Sequence, residues 1–205
     1  MTRDIGIWEI AVLALLREAP MHPYRMQRLL RDRHKDEILA LKRGSLYHAI
    51  GRLARDGLIE AAATGRDGRR PERTTYRITA AGQKGLTSAL RQMISIPRRE
   101  SSEFMAAMSF LVHIKPEDAI PHLEERCQHL EDEIERCSVG IRGASAWLER
   151  IHLIESEYLI AMLQAELKWV RKLVVDIRKS KLVWDLKKIL ADVRLVVKAA
   201  GLEKR

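Results

Sequence analysis

Between residues 42 and 60 the chain reads KRGSLYHAIGRLARDGLIE, and Ser45, Tyr47, His48, Arg52 and Arg55 bring hydroxyl, phenol, imidazole and guanidinium groups close together. Groups of this kind hydrogen-bond to base edges and phosphate oxygens. No paired acid and base, convergent His and Cys or glycine-rich phosphate loop accompanies them, so bond-making chemistry is not indicated. Leu46, Ile50 and Leu53 fall at i, i+4 and i+7, which is one face of a helix. Ser45 is placed to cap that helix, and Gly57 to end it in the left-handed conformation. The polar set then occupies the opposite face, as on a helix that enters a DNA groove. Arg52 is the leading base reader, because a guanidinium pairs with guanine O6 and N7. Tyr47 has a second reading, as a packed tyrosine with a bonded hydroxyl.

The flanking chain supplies the elements that would hold such a helix. Residues 4–18 predict a first helix, capped by Asp4, with Ile5, Trp8, Val12, Leu15 and Leu16 as its apolar stripe. Pro20 ends it, and Pro23 opens a second helix with Tyr24, Met26, Leu29 and Leu30 apolar and Arg25, Arg28 and Arg31 exposed. After the helix at Ser45, Leu58–Ala63 and Thr74–Thr79 read as two strands. They are joined by TGRDGRRPER, a turn rich in arginine. Helix, short turn, helix and basic hairpin describe a winged helix-turn-helix. A further helix is expected from Thr79 to about Ser95, and Pro97 marks a joint.

The charge supports this division. The 205 residues carry a formal net charge of +9. Residues 1–95 hold 18 Lys and Arg against 10 Asp and Glu, whereas residues 96–205 hold 19 against 18. An acidic partner is therefore expected to meet the first half. Cys127 and Cys137 lack metal or redox spacing, and the apolar N-terminus is too short and too interrupted for a leader or a membrane span. A reduced, cytoplasmic protein with no membrane partner is expected.

The second half reads as long helices. Residues 102–113 are helical, and Pro116 restarts the chain. Leu123, Cys127, Leu130, Ile134, Cys137 and Ile141 then follow a 4-3-4-3-4 spacing, an a/d seam. Gly140 and Gly143 predict a loosened turn between Ser138 and Ser145. A longer helix carries Ile151 through Ile177, including Leu163, Leu167 and Val170, and a last helix runs from Leu182 to Ala199. More apolar stripe is present than an isolated hairpin can bury, which points to a homodimer or an intramolecular bundle. The fold class expected is mainly α: a winged helix-turn-helix with a two-stranded wing over 1–95, and an all-α dimerisation domain of antiparallel long helices over 96–205.

Four landmarks carry a family resemblance: Val12-Leu13-Ala14-Leu15-Leu16, Pro20-Met21-His22-Pro23-Tyr24, Gly44-Ser45-Leu46-Tyr47 through Gly57-Leu58-Ile59, and Tyr76-Arg77-Ile78-Thr79-Ala80-Ala81-Gly82. Together they resemble the PadR-like winged-helix transcriptional regulators, densely over residues 5–90. The second half is similar only in general form to the longer members, whose C-terminal helices dimerise, and Glu166-Leu167-x-Trp169 matches a pattern seen there. Pro23 and His48 depart from the family's usual Gly and Pro.

The resemblance implies a homodimeric regulator, a repressor released by a small-molecule effector, on a near-palindromic operator in double-stranded DNA. The DNA contacts expected are Arg25, Lys42, Arg43, Ser45, Tyr47, His48 and Arg52, with Arg69, Arg70 and Arg73 from the wing. The dimer contacts expected are Leu123, Cys127, Leu130, Ile134, Cys137, Leu163, Leu167 and Val170. Trp8, Trp147, Trp169 and Trp184 could line a pocket for an apolar or aromatic effector, though helical aromatics also serve as plain core. No cofactor, metal or enzyme activity is expected. His122 and His129 share a helix face with Cys127 nearby, but two turns separate the imidazoles, too far for one ion. The rival class is a helical protein-interaction module in which the winged helix is vestigial.

Overall fold

The computed structural model of the chain describes residues 4–33, 35, 43–65, 73–97 and 102–199. It divides into two compact units, Met1–Arg99 and Glu100–Arg205.

In the N-terminal unit, α1 (Ile7–Glu18), α2 (Pro23–Asp32), α3 (Arg43–Arg55) and α4 (Ala80–Ser95) surround a small sheet of β1 (Ile59–Gly65) and β2 (Arg73–Ile78). Val12, Leu13 and Leu16 of α1 form the centre of the core, with Met26, Leu30, Leu46, Leu53, Ile59 and Leu86 packed around them. The cap of α1 is Gly6, and Asp4 lies outside the helix. The reason is Glu9 at the third helical position, whose Oε2 accepts the Gly6 N–H at 2.5 Å and satisfies a free donor of the first turn. Pro23 does open α2, and His22 caps it: the imidazole Nδ1 accepts the Tyr24 N–H at 3.1 Å. Tyr24, expected on the apolar stripe of α2, is exposed, while Pro23, Met26 and Leu30 are buried.

Helix α3 starts two residues before the expected cap, so Ser45 lies in its first turn. Its other end is as expected. Gly57 has φ +69°, the Leu58 N–H donates to the Leu53 carbonyl at 2.9 Å and the Gly57 N–H to the Ala54 carbonyl at 3.1 Å, which completes a Schellman cap. The strands pair antiparallel, with Ile59 opposite Ile78 and Gly65 opposite Arg73 and a bulge at Ala62. On its other side β2 exchanges two backbone hydrogen bonds with Met21, through Tyr76. The chain then turns into α4 at Thr79, whose hydroxyl accepts the Gly82 N–H at 3.0 Å and lies 2.8 Å from the Gly57 carbonyl. Gly82 passes so close to β1 that a Cβ there would overlap the Leu58 carbonyl oxygen. The Y-x-I-T-x-x-G sequence is thus a backbone crossing that only glycine permits.

The C-terminal unit is built on a hairpin of α6 (Pro116–Ala144) and α7 (Ile154–Arg178), with α5 (Glu103–Ser109) and 3₁₀ turns at Leu111–His113 and Arg150–His152; α8 (Leu186–Ala199) follows. Ala119, Leu123, Cys127 and Leu130 of α6 pack against Leu167, Val170, Val174 and Ile177 of α7. Three ion pairs cross between the helices: Glu124–Arg178, Arg126–Glu166 and Glu131–Arg171. The loosened turn expected at 138–145 is absent, and α6 runs through Gly140 and Gly143. Each glycine costs about 1 kcal/mol in a helix, but the 29-residue α6 is anchored by packing upstream and carries them without breaking. The last helix begins at Leu186 rather than Leu182, because Asp185 caps it: its carboxylate accepts the Lys187 N–H at 2.7 Å. No helix among the described residues is long and apolar enough to cross a membrane.

Candidate nucleic-acid interface

One side of α3 is sunk in the core and the other is open. Leu46, Ala49, Ile50 and Leu53 are buried, while Tyr47, His48, Gly51, Ala54 and Arg55 are exposed and Ser45 is half-buried. The split follows the periodicity of the sequence. The Schellman cap at Gly57 and the packing of α3 on α1 and α2 fix the helix in place. Tyr47 is 57 % exposed, so it is not the packed tyrosine of the alternative reading.

Arg52 is the main departure. Its side chain is 40 % exposed, and its Nε donates to Oε1 of Glu9 at 2.7 Å, where the Glu9 side chain is only 2 % exposed. By helical period Arg52 belongs with the groove-facing residues. The structure instead commits it to holding a buried carboxylate of α1. The face opposite the core is better described by Tyr47, His48 and Arg55, and Arg55 is missing from the predicted contacts. Its signal was present in the spacing, since 47, 48, 51, 54 and 55 are related by three and four residues.

Of the other predicted contacts, Arg25 is exposed on α2, beside Tyr24, Arg28 and Arg31, which are exposed as well. Arg43 begins α3, and Arg73 begins β2 opposite Gly65. Lys42, Arg69 and Arg70 lie outside the described residues. Across the wing, Arg77 Nε donates to Glu60 Oε1 at 2.7 Å, as their register places them opposite each other.

Most of the predicted dimer contacts have partners within the chain itself. Leu123, Cys127, Leu130, Leu167 and Val170 are buried, and Ile134 and Leu163 partly so, within the chain's own α6–α7 hairpin. The a/d spacing was real, but its partner is intramolecular. Cys137 is half-buried on the same helix. Burial pushes both cysteine thiols up from the ordinary value, so neither is an activated nucleophile. Helix α7 also carries a second apolar stripe, Ile154, Tyr158, Met162 and Trp169, which is exposed.

The tryptophans do not share one setting. Trp8 packs on the core of the N-terminal unit. In the other unit Trp147 is 74 % exposed, Trp169 and Phe104 make a T-shaped pair with ring centroids 6.1 Å apart, and Trp184 donates its indole N–H to the Ile114 carbonyl at 2.7 Å. Trp184 also lines an open cleft of about 940 Å³ with Ile114, Ile120, Ile177 and Val183. Among the described residues no group of three or more His, Cys, Asp or Glu is arranged to hold a metal ion.

Residues 12–88 match the model of the "Transcriptional regulator PadR-like family". No curated protein matches the chain in sequence. Among solved structures the chain is similar to Bacillus subtilis PadR in complex with operator DNA, at 18 % identity and TM-score 0.68 over 84 % of this chain and 99 % of that one. It is similar to the same protein in complex with p-coumaric acid, at 16 % and 0.65 over 87 % and 99 %. A PadR-like transcriptional regulator of Bacillus cereus matches at 17 % and 0.55 over 86 % and 99 %. At such identities these likenesses establish the fold, mainly helical with a two-stranded wing. The family model and these folds coincide on residues 12–88, the segment that carries the winged helix-turn-helix.

Proposed function

We propose that the chain is a sequence-specific DNA-binding regulator of transcription, active in the cytoplasm as a homodimer, which represses until a small molecule releases it. The observation that carries the reading is the open side of α3, where Tyr47, His48 and Arg55 face solvent on a helix whose other side is fixed in the core. Tyr47, His48 and Arg55 read base edges in the major groove. Ser45, Arg43 and Lys42 sit on phosphate at the helix N-terminus, where free N–H groups favour an anion. Arg25 adds a backbone contact from α2, and Arg69, Arg70 and Arg73 add those of the wing. Arg52 supports the set from behind through Glu9.

The homodimer joins through the exposed stripe of α7, Ile154, Tyr158, Met162 and Trp169, because the seam on α6 is already satisfied. Two recognition helices would then meet half-sites about 34–36 Å apart, or a multiple of that, on a near-palindromic operator. The effector is an apolar or aromatic compound. One solved relative was crystallised with p-coumaric acid, and the cleft beside Trp184 offers apolar walls for such a ligand.

Selection of bound fragments from random duplex by the full-length protein tests the proposal. A preferred near-palindromic sequence is expected, with Arg55→Ala weakening it by roughly 1–3 kcal/mol and a steep fall of affinity with salt. Absence of any preferred sequence would favour the protein-interaction module. Sedimentation of Met162→Lys is expected to show monomer where the parent shows dimer.

A further inference from the structure

At the centre of the open face of α3 stands Gly51. The residues three and four positions away on a helix are its nearest surface neighbours; here they are Tyr47, His48, Ala54 and Arg55, all exposed. A Cβ at Gly51 would meet nothing within 4 Å, and the positive φ of Gly57 is not repeated here. Neither reason for a glycine in this fold applies at Gly51. Gly82 is required by a backbone crossing and Gly57 by a left-handed cap, whereas Gly51 only weakens its helix relative to alanine.

What the missing side chain creates is a notch. It is a stretch of bare backbone in open space, flanked along the helix by the exposed residues Tyr47, His48, Ala54 and Arg55. Bare backbone one turn from an alanine, among residues that can hydrogen-bond, fits an apolar projection set among polar base edges. In the major groove that projection is the C5 methyl of thymine.

We propose that Gly51 is a specificity-determining position, seating a thymine methyl in the notch while its neighbours read adjacent edges. The inference rests on the DNA-binding reading above. Any side chain at 51 would hold the helix away from the groove floor at this step.

The test uses the full-length protein on its selected operator. Each thymine is replaced in turn by deoxyuridine, which removes only the methyl. One symmetric position per half-site is expected to weaken the parent about four-fold, the worth of one buried methyl. Gly51→Leu is expected to weaken the operator about ten-fold or more and to lose its response to deoxyuridine at that position. Gly51→Leu is expected to unfold at or above the parent's midpoint, as is Gly140→Ala in α6, which leaves operator affinity unchanged; the melt of Gly51→Leu itself shows that its loss of affinity is not misfolding. If no thymine position responds, or if Gly51→Leu binds as the parent does, the notch assignment is overturned while DNA binding stands. If the parent selects no sequence, the DNA-binding reading is overturned and this inference with it.

Discussion

Replacing Arg52 by alanine separates a scaffold role from a base-reading role. The Glu9 carboxylate is 2 % exposed and accepts from the Gly6 N–H and the Arg52 guanidinium. Removing one partner of a fully buried pair costs about 3–5 kcal/mol, because the remaining charge stays buried. Arg52 is 40 % exposed, so water can reach the vacated edge and recover part of this. The α1 N-terminus also continues to favour a negative charge. A loss of about 2–3 kcal/mol is therefore expected in the N-terminal unit. Glu9→Gln should cost less, about 1 kcal/mol, since the guanidinium left behind can turn to solvent. Glu9→Gln with Arg52→Ala should be more stable than Arg52→Ala alone, as the buried side chain no longer carries a charge. Urea unfolding followed by tryptophan fluorescence and circular dichroism measures all four proteins. A loss under about 0.5 kcal/mol for Arg52→Ala, or strict additivity in the double variant, would refute the reasoning. A folded, fully stable Arg52→Ala that loses only operator affinity would return Arg52 to the groove.

Three further outcomes are expected. Gly82→Ala should cost at least about 3 kcal/mol or abolish soluble expression, because the new methyl must displace the Leu58 carbonyl and sits 2.8 Å from Ile78 Cγ1; a thermal melt checks it. Thr79→Ala should cost roughly 1 kcal/mol through the lost cap of α4, with its Gly82 N–H left to water, read from urea midpoints. The third concerns Glu18, which is held below the ordinary carboxylate value by its hydrogen bonds from Arg33 and by that residue's charge, with partial burial opposing. A carboxylate lowered in the folded state stabilises at neutral pH, and this is lost as pH falls through its lowered value. The pair is about half exposed, so the gap between parent and Glu18→Gln should be within about 1 kcal/mol at pH 7 and close towards pH 3 in urea titrations.

Much of the N-terminal unit was legible because its signals are local. Pro23, Gly57 and the periodicity of Leu46, Ile50 and Leu53 each report one turn of backbone, and each element formed within a few residues of its expected bounds. What the sequence hid was tertiary. A helical period of polar residues does not show that Arg52 will meet Glu9, 43 positions earlier in the chain. Tyr24 is apolar by type, yet α2 finds enough burial from Pro23, Met26 and Leu30 to leave it outside. In the second unit the seam of Leu123, Cys127 and Leu130 was visible, but periodicity cannot say whether the facing helix belongs to the same chain. Gly140 and Gly143 misled because propensity is a local cost and α6 is anchored from a distance.

The crossing of Leu58, Thr79 and Gly82 has a mechanical side. The exit of α3 and the entry of α4 are stapled within a few ångströms, with no slack loop between backbone and backbone. Torque applied to the far end of α4 would reach α3 through that pivot rather than dissipate in the hairpin. Because α3 is itself sunk in the core, it would turn together with that core as one body.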